Sequence, residues 1–75
     1  HVHDAVSYYR RALTINPDYT VARAYFGEAL LQMGRLDRAK HQLDEIYRRC
    51  GKGCAEYDEL SQQIANYQQT PSSLP

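Results

Sequence analysis

The chain repeats itself after 34 residues. Ala5, Tyr9, Ala12 and Pro17 are matched by Ala39, Leu43, Ile46 and Gly51, and Arg23, Phe26, Gly27 and Leu30 by Tyr57, Leu60, Ser61 and Ile64, every pair 34 apart. Size and polarity are kept at most of these pairs. A period of that length builds stacked helical hairpins, because a single hairpin cannot bury its apolar face and must lean on the next. The expected fold is all-α: about four helices, each antiparallel to its neighbour, in a right-handed superhelical stack. Such a stack encloses no deep pocket and presents an extended curved surface.

The helices can be placed from their patterns and stop signals. Ala5, Tyr8, Tyr9, Ala12 and Leu13 fall on one face, which predicts a helix from Asp4 to Ile15. Asn16-Pro17-Asp18 ends it, since the residue before proline avoids the helical region. Thr20 is the expected N-cap of a second helix that stops at Gly34, and Asp37 the expected cap of a third that runs to Cys50. Within that helix Glu45 precedes Arg49 by four residues, an arrangement that supports a helix. The fourth helix is expected over Ala55–Gln68, with Tyr57, Leu60, Ile64 and Tyr67 as its apolar stripe. Gly27, Ala39 and Ala12 let helices approach closely, so Gly27→Leu is expected to overpack the hairpin by about 1–3 kcal/mol.

This register resembles that of the tetratricopeptide repeat (TPR) family, whose pattern reads W-x2-L-G-x2-Y, A-x3-F and P. Phe26-Gly27 stands for Leu-Gly, Leu30 for Tyr, and Ala39-x3-Leu43 for A-x3-F. Ala5-x3-Tyr9 with Pro17 resembles the second helix of a preceding copy, and Tyr57-x2-Leu60-Ser61-x2-Ile64 the first helix of a following one. The resemblance divides residues 1–69 into a second helix (1–18), a full repeat (19–52) and a following or capping helix (53–69), and leaves 70–75 as a disordered tail. Starting on a second helix, the chain is expected to be a piece of something longer. There are two departures. Arg23 stands where the pattern has Trp, weakening one packing contact, and Gly51 stands where it has Pro, which puts the last turn in a different class.

Bulk composition excludes some functions. Formal net charge is zero over 75 residues, so neither nucleic acid nor membrane insertion is expected, and no run of apolar residues is long enough to span a bilayer. The charge is nevertheless uneven. Nine bases against six acids precede Cys54, a net of +3, and three acids without a base follow it. No Ser-His-Asp set, phosphate loop or paired carboxylates can be assembled, so no enzyme, cofactor or metal is expected.

Cys50 and Cys54 flank the Gly51-Lys52-Gly53 turn. Ends four residues apart can reach the roughly 4.4–6.8 Å a disulfide needs, and so short a loop contributes about 2 kcal/mol. A structural disulfide is preferred to two free thiols, and both to a redox or metal role. The segment is also similar to the Cys-Gly-x-x-Cys and Tyr-x-x-Leu endings of small exported bacterial TPR proteins. That similarity implies a periplasmic or secreted location, with the cytoplasm as the alternative. His1 and His3 match an N-terminal Cu(II) or Ni(II) chelate only if His1 is a true N-terminus, and are read as surface residues.

Among the seven tyrosines, Tyr8, Tyr9, Tyr47, Tyr57 and Tyr67 are expected at packing positions, with Tyr57→Ala costing about 3 kcal/mol. Tyr25 is expected to turn toward the inner surface of the superhelix, because Phe26 takes the buried place. In the TPR family the first helix of each pair lines the concave face. The resemblance therefore implies a partner-binding groove of Val21, Ala24, Tyr25, Glu28, Leu31, Gln32, Asp58 and Gln62, with Ala55, Glu59 and Asn66 beside it. A peptide or protein partner with an apolar anchor and basic residues would complement that surface. Carboxylate-terminal chaperone tails, which some members bind, would meet Glu28 and Asp58. The alternative function is self-assembly into a homo-oligomer through exposed repeat edges.

Overall fold

A computed structural model describes residues 2–69 of the chain. It contains four α-helices: α1 (Val2–Ile15), α2 (Thr20–Gln32), α3 (Leu36–Cys50) and α4 (Ala55–Gln69), with no strand among the described residues. The expected tail at 70–75 and the His1 chelate lie outside the described residues.

The second helix is the centre of the stack. It packs against α1, α3 and α4, whereas α1 touches α2 alone. That position follows from composition: α2 is apolar nearly all round, with Ala22, Ala24, Phe26, Ala29, Leu30 and Leu31 all buried. A helix of that kind must be covered on several sides. The innermost layer takes one large residue from each packed helix, Leu30 of α2, Ile46 of α3 and Leu60 of α4, each fully buried. Burying a side chain of this size contributes about 1.5–3 kcal/mol. Ala39 has no exposed surface, which lets α3 lie close to its neighbours.

Leu60 sits over Gly27. A Cβ built at Gly27 would lie 2.6 and 2.7 Å from the two Leu60 methyl carbons. The small residue at position 27 thus admits the Leu60 side chain of α4, and overpacking there would strike α4 first rather than the α2–α3 hairpin.

Each turn has its own chemistry. After α1, the Asn16 N–H donates to the Ala12 carbonyl at 2.9 Å, and the Asn16 side-chain oxygen accepts from the Asp18 N–H at 3.3 Å. After α2, Gly34 adopts φ +75°. Its N–H donates to the Leu31 carbonyl at 2.9 Å, and the Arg35 N–H to the Leu30 carbonyl at 2.8 Å. That pair of bonds closes a helix through a left-handed residue, which glycine adopts without strain. The last turn differs, as its missing proline implies. Gly51 has φ +72° and ψ −170°, a backbone region essentially restricted to glycine.

The structure corrects several details. Tyr19, not Thr20, is the N-cap of α2, and Arg35, not Asp37, that of α3. Neither makes a side-chain capping bond. Asp37 lies inside the first turn instead, where its charge opposes the helix dipole. Tyr8, Tyr47 and Tyr67 are exposed, Tyr8 to 63%, and Tyr9 and Tyr57 are only half-buried. The apolar layer is filled by Leu, Ile and Ala, so these phenol rings lie at its margin.

Arg23 departs most from expectation. It is 9% exposed. Its Nε donates to the Pro17 carbonyl at 3.0 Å and its Nη1 to Gln42 Oε1 at 2.9 Å. The residue in the Trp position therefore ties the α1–α2 turn to α3 by hydrogen bonds. Burial, and secondarily the charge of Arg49, lowers the guanidinium pKa. Nearby, Arg49 donates to Asp18 at 2.9 Å and to Glu45 at 2.7 Å, so the expected Glu45–Arg49 pair is made and extended to the same turn.

Candidate functional site

Val21, Tyr25, Glu28 and Gln32 lie at successive helical turns, so their side chains fall on one side of α2. The structure leaves this strip facing outward between α1 and α4. Among the described residues, three shallow clefts open along it. The first, of about 220 Å³, is lined mainly by rings: Tyr8, Tyr9, Tyr19 and Tyr25 with Val21. Tyr9 stacks on Tyr25 with centroids 6.2 Å apart, and Tyr8 meets Tyr9 edge-on at 5.5 Å. The second, of about 230 Å³, lies between Val2, Ala5 and Tyr9 of α1 and Glu28 and Gln32 of α2. The third, of about 390 Å³, lies between α2 and α4 and is lined by Glu28, Leu31, Gln32, Gln63, Asn66 and Tyr67.

Glu28 borders the last two clefts and is electrostatically unusual. Its Oε2 is buried and has no hydrogen-bond partner among the described residues. Burial, with the nearby Glu59 carboxylate adding to it, raises the Glu28 pKa above the ordinary carboxylate range. Between the ordinary range and that raised value, the folded state keeps a proton that the unfolded chain releases. Stability falls as pH rises from the ordinary range through the raised value, and the penalty is absent below that range. Glu28→Gln is accordingly expected to raise the melting temperature at neutral pH, with the gain vanishing at acid pH. Melting curves of both proteins across that range check this. A gain that grows on acidification would contradict it.

The expected groove residues are distributed unevenly. Val21, Tyr25, Glu28 and Gln32 line the clefts. Leu31 is nearly buried but forms part of the α2–α4 cleft. Ala24 is 3% exposed and has no surface to offer a partner. Asp58 and Gln62 are exposed, but Gln62 donates to Asp58 at 3.1 Å and neither lines these three clefts. On α4 the cleft is built instead by Gln63, Asn66 and Tyr67. Of these, only Asn66 is among the residues that the sequence placed beside the groove. The signal was available in part, since these positions flank the buried Leu60/Ile64 stripe. Tyr8, Tyr9 and Tyr19 of the aromatic cleft were not expected there.

Sequence comparison adds the decisive observation: the tetratricopeptide repeat family model matches residues 2–64. The chain belongs to the tetratricopeptide repeat family. No curated protein and no solved structure matches it. TPR repeats are in general protein–protein interaction modules, which suits a surface of open clefts.

Cys50 and Cys54 are joined by a disulfide across the last TPR turn, with Cα atoms 5.9 Å apart. Glu56 brings a third potential metal ligand within 4.8 Å of the two sulfurs. Bonded to each other, however, the sulfurs are not thiolates, and the set does not suit a metal. Thiol titration of unfolded, unreduced protein is expected to find no reactive thiol. The Cys50→Ser/Cys54→Ser variant should lose about 2 kcal/mol of stability in denaturant. Two titratable thiols would contradict the bridge. No helix among the described residues is long and apolar enough to cross a membrane.

Proposed function

We propose that this TPR chain is a non-enzymatic interaction module. Its concave face, centred on α2, holds a segment of a partner protein that carries an apolar anchor and a basic residue. The observation that carries this reading is the outward strip Val21–Tyr25–Glu28–Gln32, bordered by three clefts. The repeat's own packing does not require Tyr25, which is 47% exposed, yet it is held by stacking on Tyr9. A rigid, half-exposed aromatic offers contact area at low entropic cost, which is why such residues dominate interfaces. The acids at Glu28 and Glu59 favour a basic segment over an acidic one. The disulfide suits an oxidising compartment, periplasmic or extracellular.

Selection of displayed random peptides on the immobilised protein provides the test. Tyr25→Ala should weaken the selected peptides by about 2 kcal/mol, and Glu28→Lys should reverse any preference for basic sequences. Tyr47→Ala is the control, because Tyr47 is exposed but pairs with Tyr57 away from the clefts. Equal effects from Tyr25 and Tyr47 would sink the concave-face reading.

One observation favours self-assembly as a second reading. The first helix packs on α2 alone, and its Val2, Ala5 and Tyr9 line an open cleft. Light scattering that shows a concentration-dependent dimer, abolished by Ala5→Glu, would support it.

A further inference from the structure

The cleft between α2 and α4 contains a chemical mismatch. A carboxylate in a partly buried site needs donors, and an unsatisfied buried oxygen costs more than the average hydrogen bond contributes. Glu28 Oε2 has none. No Lys or Arg of α2 or α4 lines this cleft. Its other polar walls are the amides of Gln32, Gln63 and Asn66, and Leu31 and the Tyr67 ring supply its apolar sides. Past Cys54 the chain has acids and no base, so α4 brings no positive charge to Glu28.

We propose that this cleft is a socket for an arginine side chain of the partner segment, with Glu28 as counter-ion and Tyr67 as stacking wall. The proposal rests on the concave-face reading and names what one part of that face recognises. A guanidinium matches the walls in three respects. It is planar and stacks on a phenol ring. It carries five N–H donors, enough for the Glu28 carboxylate at the cleft wall and for neighbouring amide oxygens at once. Its charge offsets both Glu28 and Glu59, whose mutual repulsion contributes to the raised proton affinity of Glu28. An ammonium meets the charge requirement but not the planar one. A carboxylate or phosphate would meet two acids.

The experiment uses three small probes: the Nα-acetyl methylamides of arginine, lysine and citrulline. Citrulline has nearly the shape of arginine without its charge. Each is titrated into isotopically labelled protein, and backbone and side-chain NMR shifts are followed. The arginine probe should move Leu31, Gln32, Gln63, Asn66 and Tyr67 together and saturate. Citrulline should bind at least about tenfold more weakly, as expected for loss of a charge-assisted pair. Glu28→Gln should lose arginine binding by about the same factor, and because that variant is expected to be more stable at neutral pH, the loss cannot be unfolding. Tyr67→Ala should narrow the advantage of arginine over lysine. Equal binding of arginine and citrulline, shifts outside the cleft, or unchanged binding by Glu28→Gln would each overturn the socket. Tyr25→Ala should leave the arginine probe unaffected, because Tyr25 does not line this cleft. Failure of the probe together with Tyr25-dependent peptide binding would thus reject the socket and leave the concave-face reading standing. Probe binding with Tyr25-independent peptides would do the reverse.

Discussion

Arg23→Ala is expected to destabilise the protein by about 3 kcal/mol, well beyond the roughly 0.5 kcal/mol of an ordinary surface substitution. The substitution removes two charge-assisted hydrogen bonds, to the Pro17 carbonyl and to Gln42, and leaves Gln42 buried without its partner. It also empties the position that the TPR pattern fills with Trp. The cost comes mainly from the groups left behind, which supplies a sharper test. Replacing both partners by apolar residues of similar size, Arg23→Met with Gln42→Leu, should return stability to within about 1 kcal/mol of the parent. Denaturant unfolding of the two single variants and the double variant measures the coupling. Additive losses would mean that Arg23 and Gln42 do not act as a pair.

Gly27→Leu is expected to cost about 3 kcal/mol, the upper part of the usual range for overpacking. Even a methyl group at position 27 would meet both Leu60 methyls well inside van der Waals contact. Those methyls belong to a flexible side chain, but Leu60 is fully buried and has little room to move. The strain falls on α4, which is held by packing on α2 and α3 alone. The variant should therefore lose α4 first, seen as faster amide exchange in Ala55–Gln68 than in α2. The smaller change Gly27→Ala should be partly rescued by Leu60→Val, which withdraws the crowding methyls at about 1 kcal/mol of its own. If Gly27→Leu leaves both stability and α4 protection unchanged, the α2–α4 packing described is wrong.

Helix order was legible in the sequence because it depends on local chemistry and on a period. The 34-residue spacing, the Asn16-Pro17 stop and the Gly34 cap are read within a few residues of where they act. All four helices end within about two residues of the expected positions. The Cys50–Cys54 bridge was legible for the same reason, since its loop is too short to involve any other element. Helical period and repeat register together put Val21, Ala24, Tyr25, Glu28, Leu31 and Gln32 on the expected groove side, of which Ala24 and Leu31 are buried.

Tertiary structure alone decided the rest. That Arg23 is a buried tie rather than a weakened contact depends on Gln42, nineteen residues away, arriving opposite it. The partner that crowds Gly27 is Leu60 of α4, and no pattern within the α2–α3 hairpin names it. The cleft lining on α4 depends on the rotation of that helix about its axis as it docks. One residue along a helix is about 100°, enough to exchange Asp58 and Gln62 for Gln63, Asn66 and Tyr67. The tyrosines became a cleft rather than a core because three aliphatic residues, Leu30, Ile46 and Leu60, already fill the space between the helices. Period and capping are properties of a segment. Burial, rotation and the orphaned oxygen of Glu28 are properties of segments brought together, and they decide what this surface can bind.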